Sequence, residues 1–145
     1  LHLGELRFAG RDFARSVAWL ERALAQDPGL APAWCRMGNA LRMLGRSAEA
    51  EQAFRRGIAI APSLEDAYVG LAFLLRELGR AKEAAGVMAA LAEAAGGRRE
   101  VLEKALGFLE DLGQVEPSRR VGERLLQAAP EDPGVQSRVG RLYSK

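Results

Sequence analysis

The chain has 145 residues, 21 basic and 19 acidic, for a formal net charge of +2. That balance excludes the strong basic excess with which proteins grip nucleic acid or an anionic membrane. The single cysteine, Cys35, excludes an internal disulfide and fits a reducing, cytoplasmic setting.

Hydrophobic residues make up 48% and aromatics only 6%, so the core is built mainly from Ala, Leu, Val and Gly. Apolar runs such as residues 69–75 are far too short to cross a bilayer. The opening, Leu1-His2-Leu3-Gly4-Glu5, has no initiator Met, no basic n-region and no long apolar stretch. It therefore reads as a piece of a longer protein, with any targeting signal outside it.

Taken in chain order, the elements repeat. Residues 1–30 carry Leu3-Gly4, Leu20, Ala23-Leu24 and Pro28, with Gly10 as a turn. In residues 31–64, Trp34, Met37, Leu41 and Leu44 recur at i, i+3, i+7 and i+10, one face of a helix. Gly45 then supplies the left-handed residue that ends it. A second helix runs through Ala50, Phe54, Gly57 and Ile58 until Pro62 stops it. Residues 65–98 keep Tyr68, Leu71-Ala72, Leu75, Leu78-Gly79 and Ala84, but put Gly96-Gly97 where the closing proline belongs. Residues 99–132 keep Leu102, Leu112-Gly113 and Pro130, with a helix starting near Pro117. A last helix begins at about Pro133 and carries Val139-Gly140 and Tyr143. Gly45, Gly79 and Gly113 are 34 residues apart, as are Pro28 and Pro62. A constant period of this size marks a helical repeat array. Each unit is a helix A, a tight turn and a helix B, too short to be stable alone and dependent on stacking.

Within helix A, Gly38 lets another helix approach, Gly57 plays the matching part on helix B, and Trp34 and Phe54 fill the space beside them. Leu106 and Leu125 occupy the corresponding small-residue slots of residues 99–132, which predicts helices pushed apart there.

The pattern of Trp34, Met37-Gly38, Leu41, Leu44-Gly45, Ala50, Phe54, Gly57 and Pro62 resembles the tetratricopeptide repeat. The other units match it in part, so the resemblance covers essentially the whole chain. It implies an all-α fold: a right-handed superhelical solenoid of antiparallel helix pairs, about four units plus a C-terminal helix. The units fall at about 1–30, 31–64, 65–98 and 99–132, with the terminal helix at 133–145, all in one domain. It also implies that the A helices line a concave groove that takes a peptide or a partner helix. In this register Arg36, Asn39, Arg42 and Met43 face the groove. Asp66, Val69, Phe73, Arg76 and Glu77 follow from the next unit, then Glu100, Glu103, Lys104, Glu110 and Asp111. The first half is basic through Arg36, Arg42 and Arg76, and the second is acidic. Arg binds carboxylates bidentately, so an acidic or C-terminal peptide suits the first half.

The carboxylate clamp with which some members of the family hold chaperone tails is broken here. Asn39 and Lys104 fit it, but Cys35, Gly70 and Glu100 do not. No catalytic, cofactor or metal site stands out: His2 is the one histidine, and no phosphate loop appears. Phe73 reads as a neighbour-packing residue or a ligand anchor, and Cys35 as a small, partly buried apolar residue. The leading function is a protein–protein interaction scaffold with no enzymatic activity. The alternative is a substrate-recruiting or self-associating module of a larger enzyme such as a transferase. Homo-oligomerisation through uncovered repeat ends, at Leu1, Leu3 or Tyr143, is a third reading.

Overall fold

The computed structural model describes residues 2–144, with side chains from Asp12 onward. The helices are α1 (His2–Gln26), α2 (Ala31–Met43), α3 (Ser47–Ile60), α4 (Glu65–Glu77), α5 (Ala81–Ala94), α6 (Arg99–Asp111), α7 (Val115–Ala128) and α8 (Pro133–Tyr143). The chain is an all-α helical repeat. Packing gathers it into two compact units, Leu1–Leu74 and Leu75–Lys145. In the first, α2 packs on both α1 and α3. In the second, α5 packs on α6 and α7, α6 on α7, and α7 on α8.

Each A-to-B reversal is the same turn. Gly45, Gly79 and Gly113 have φ of 77°, 77° and 70°, a region that a Cβ disfavours. At the first, the Gly45 N–H donates to the Arg42 carbonyl at 3.0 Å and the Arg46 N–H to the Leu41 carbonyl at 2.9 Å. This double bond pattern, a Schellman motif, satisfies carbonyls that the helix end would leave orphaned. Arg80 and Gln114 reach back to Leu75 and Leu109 in the same way, at 2.8 and 3.1 Å.

The expected reversal at Gly10 does not form: α1 runs unbroken from His2 to Gln26. The register gives the reason. The turn glycine would fall at residue 11, which is Arg, and a left-handed Arg is strained by roughly 1–2 kcal/mol. Residues 1–30 therefore supply one helix, not a pair. The side chains of Leu1 and Leu3 lie outside the described residues.

The B-to-A loops carry a second repeated bond. The Trp34 indole N–H donates to the Pro28 carbonyl at 2.9 Å, the Tyr68 hydroxyl to the Pro62 carbonyl at 2.8 Å, and the Gln136 amide to the Pro130 carbonyl at 2.8 Å. Three different side chains at one repeat position tie each loop to the helix that follows it. The exception is consistent. Where Gly96 replaces the proline, residue 102 is Leu, which has no donor, and Gly96 ends the helix with φ 61°.

The A and B helices meet through one interlock. Phe54 is fully buried. A Cβ on Gly38 would lie 2.8 Å from its ring, and one on Gly70 2.4 Å. The ring thus fills the space left by glycines on α2 and α4. A Cβ on Gly57 would meet only ordinary contacts, with the Trp34 Cβ at 3.6 Å. In residues 99–132 Leu106 and Leu125 are fully buried, and α6 and α7 approach each other less closely than the equally long α2 and α3, as those bulky side chains predict; part of their volume is offset elsewhere. Position 122, which repeats Phe54, is Gly, and Leu142 and Val139 of α8 close over it. Pro117 sits in the first turn of α7, where no N–H is needed. Asp132 caps α8, accepting from the Gly134 and Val135 N–H groups at 2.8 and 3.3 Å.

Two outcomes follow for stability. Phe54→Ala should cost about 3–5 kcal/mol, and Gly70→Ala about 1–3 kcal/mol by overpacking. In the double variant the second loss should largely vanish, because the ring that the new methyl strikes is gone; urea denaturation followed by circular dichroism measures all three. Tyr68→Phe keeps the packing and loses only the loop bond, so a drop of roughly 0.5–1.5 kcal/mol is expected in the same assay.

Candidate functional site

The helical spacing of residues 36, 39 and 42 puts three polar side chains on one face of α2. Across from them, 66, 69 and 73 line one face of α4. The structure brings Arg36, Asn39, Arg42, Asp66, Val69 and Phe73 together around one open hollow of about 330 Å³. That is the lower end of small-molecule pocket size, roughly 300–1,000 Å³, and suits the side chains of a peptide. Cys35, Gly70, Pro32 and Leu64 complete its lining. Arg36, Asn39 and Asp66 are exposed, while Arg42, Val69 and Phe73 are half-buried. Two guanidinium groups against one carboxylate leave the rim net positive. The floor is shaped from behind, because the Phe54 ring occupies the space that a side chain on Gly70 would take. Met43 is exposed and does not line the hollow.

The remaining predicted residues lie in the second unit, where each has its own setting. The Arg76 guanidinium stands over the Phe108 ring at 5.1 Å. Glu77 and Lys104 are exposed on α4 and α6. Glu103 pairs with Arg99 at 2.8 Å, and Arg99 also reaches Asp132 at 2.5 Å. Glu110 pairs with Arg138 at 2.6 Å. Much of the acidity read from residues 99–111 is therefore offset by arginines. Two of these pairs join residues 28 and 33 apart in sequence. The signal for them was the repeat period itself, since positions about 34 apart stack on neighbouring helices.

Cys35 is buried at the edge of the hollow. Burial pushes its thiol above the usual cysteine value, Asp66 adds to the rise, and Arg36 opposes it. The thiol stays protonated at neutral pH and acts as a small apolar residue. Among the described residues, no three His, Cys, Asp or Glu side chains gather as a metal site, and no helix is long and apolar enough to cross a membrane.

Residues 31–64 match the family model described as tetratricopeptide repeat. No curated protein matches the chain. Solved structures share its fold. MamA from Desulfovibrio magneticus RS-1 is 18% identical, with a TM-score of 0.55 over 96% of this chain and 82% of that one. YrrB, described as a TPR protein with an unusual peptide-binding site, is 19% identical, with a TM-score of 0.57 over 92% and 69%. Residues 31–64 thus form a tetratricopeptide repeat, and the chain shares the fold of solved tetratricopeptide-repeat proteins. The first TPR domain of Spaghetti (RPAP3), solved with the HSP90 peptide SRMEEVD, is 15% identical to this chain, with a TM-score of 0.50 over 77% and 89%.

The raised, buried Cys35 thiol should resist thiol–disulfide exchange. In native buffer near neutral pH an aromatic disulfide reagent should react with it far more slowly than with the unfolded chain; equal rates would contradict the burial.

Proposed function

We propose that the chain is a protein-interaction module, and that the hollow between α2 and α4 holds part of an acidic peptide. The observation that carries this reading is the convergence of Arg36, Asn39 and Arg42 beside Val69 and Phe73 on one open surface. Guanidinium groups supply paired donors for a carboxylate. Asn39 offers both a donor and an acceptor to a peptide backbone. Val69 and Phe73 offer apolar contact to an adjoining side chain, so ligand charge and ligand shape are read within one hollow.

The peptide-binding descriptions of YrrB and of the Spaghetti domain support a binding role for this surface. The chaperone clamp is a poor model for it, because Cys35 and Gly70 stand at two clamp positions, and both are buried. The chemistry on offer is charge, hydrogen bonding and apolar contact, which favours capture over catalysis.

Fluorescence anisotropy with labelled acidic and charge-reversed peptides tests the reading. Acidic peptides should bind more tightly, and added salt should weaken them. A charge-assisted bond contributes about 1.5–3 kcal/mol, so Arg36→Glu should weaken binding about ten- to a hundredfold. Unchanged affinity in Arg36→Glu would remove the hollow from consideration.

A further inference from the structure

Several arginines of this chain are tied to a carboxylate. Arg46 pairs with Glu49 at 2.5 Å, Arg99 with Glu103 at 2.8 Å and Arg138 with Glu110 at 2.6 Å. The hollow between α2 and α4 departs from this. Arg36 and Asp66 both line it and both are exposed. Yet among the described residues no hydrogen bond or ion pair joins them, and neither pairs elsewhere. They act on the neighbouring Cys35 thiol in opposite senses, as two separate charges do. The repeat register supplies the reason. Arg36 repeats Gly70, and Asp66 lies four residues before Gly70 on α4. The two charges are therefore about one turn out of level, roughly 6 Å along the helices. No side chain at position 70 bridges the gap, because the Phe54 ring takes that space.

We propose that the hollow selects a dipolar peptide, one that sets a basic side chain against Asp66 and an acidic side chain against Arg36. This selection rests on the hollow being a peptide site, and it gives Asp66 a role that a purely acidic ligand leaves unfilled. In an extended peptide, side chains two residues apart lie on the same side, about 6–7 Å from each other. That spacing matches the offset between Asp66 and Arg36. The basic and acidic residues of the ligand therefore stand two apart, and the residue between them points away from the hollow. Neither charge of the protein has to leave a partner before it meets the ligand, so no internal ion pair is broken on binding. A peptide with acids at both positions puts a carboxylate against Asp66, and like charges opposed across a contact disfavour it.

Fluorescence anisotropy at low salt tests this with peptides that share one glutamate and carry lysine, alanine or glutamate two residues from it, on either side in the chain. In one of the two chain directions affinity should fall in the order lysine, alanine, glutamate. Lysine should bind about two- to fivefold more tightly than alanine, as for an exposed ion pair. Lysine moved next to the shared glutamate points away from the hollow and should gain nothing. Asp66→Asn keeps the side-chain shape and should erase the difference between lysine and alanine, while Asp66→Lys should invert the order. Asp66 is exposed, so helicity by circular dichroism should be unchanged in both variants. Suppose that the peptides bind and that Arg36→Glu weakens them. A lysine two residues away that gains nothing, a gain that survives Asp66→Asn, or an equal gain from the adjacent lysine would then overturn the dipolar selection and leave the acidic-peptide site standing. If no peptide binds, or Arg36→Glu changes no affinity, the site itself is wrong and the selection falls with it.

Discussion

The positive-φ glycine at each A-to-B turn is the constraint from which the rest follows. At Gly45, Gly79 and Gly113 the chain reverses within a residue or two, and the Schellman bonds hold the reversal at one angle. Two helices joined so tightly have no freedom to slide. Which side chain of helix B meets which gap of helix A is therefore decided by position in the repeat. Residue 11 shows the converse. With Arg where the glycine belongs, the helix does not turn, and α1 runs on unbroken.

Fixed register makes volume a property of pairs of positions. The repeat position of Gly38 holds Gly38, Ala72 and Leu106, growing along the chain. The position of Phe54 holds Phe54, Met88 and Gly122, shrinking in step. All six residues are buried. Each series alone departs from the family's preference for a small residue at one place and an aromatic at the other. Together they keep the filled volume nearly constant, which is what close packing requires, since a misplaced methylene is felt whether it adds or removes material. Leu106 is therefore accommodated in part by the small residue at 122, while α6 and α7 still approach less closely than α2 and α3.

The helices were legible because the period repeats both the apolar stripe and its stop signals; the turn glycines and loop prolines bounded α2, α3, α7 and α8 within a residue or two. Other features lay below what a pattern of apolar residues can carry. Trp34 and Tyr68 read as apolar fillers, yet each donates a hydrogen bond to a loop carbonyl. The clue was Gln136, a polar residue at the same position with the same bond. Size was visible in the sequence, and the shared donor was not. The exchange between Leu106 and Gly122 was hidden for a related reason: either residue alone is a departure, and only the pairing set by the fold makes them compensate. Of the candidate site, Arg36, Asn39, Arg42, Asp66, Val69 and Phe73 line one hollow, and Met43 does not. The pairing of Glu103 and Glu110 with arginines required knowing which helices stack.

The same geometry explains why the binding surface is the least regular part of the chain. Positions that pack repeat closely, as Leu41, Leu75 and Leu109 do. Positions on the less buried face of the same helices drift: Arg36, Gly70, Lys104 and Arg138 share one column, and Asn39, Phe73, Gly107 and Arg141 another. A side chain outside the interlock can change charge or size without disturbing the register, so each repeat adds its own chemistry to a common frame. Gly70 is the informative exception. It stands in one of these columns but is captured by the packing, because the Phe54 ring needs its space. That capture removes a side chain from between Arg36 and Phe73 and opens the hollow there. The interlock that holds α2, α3 and α4 together is thus also what gives the first unit its concave, positively rimmed surface.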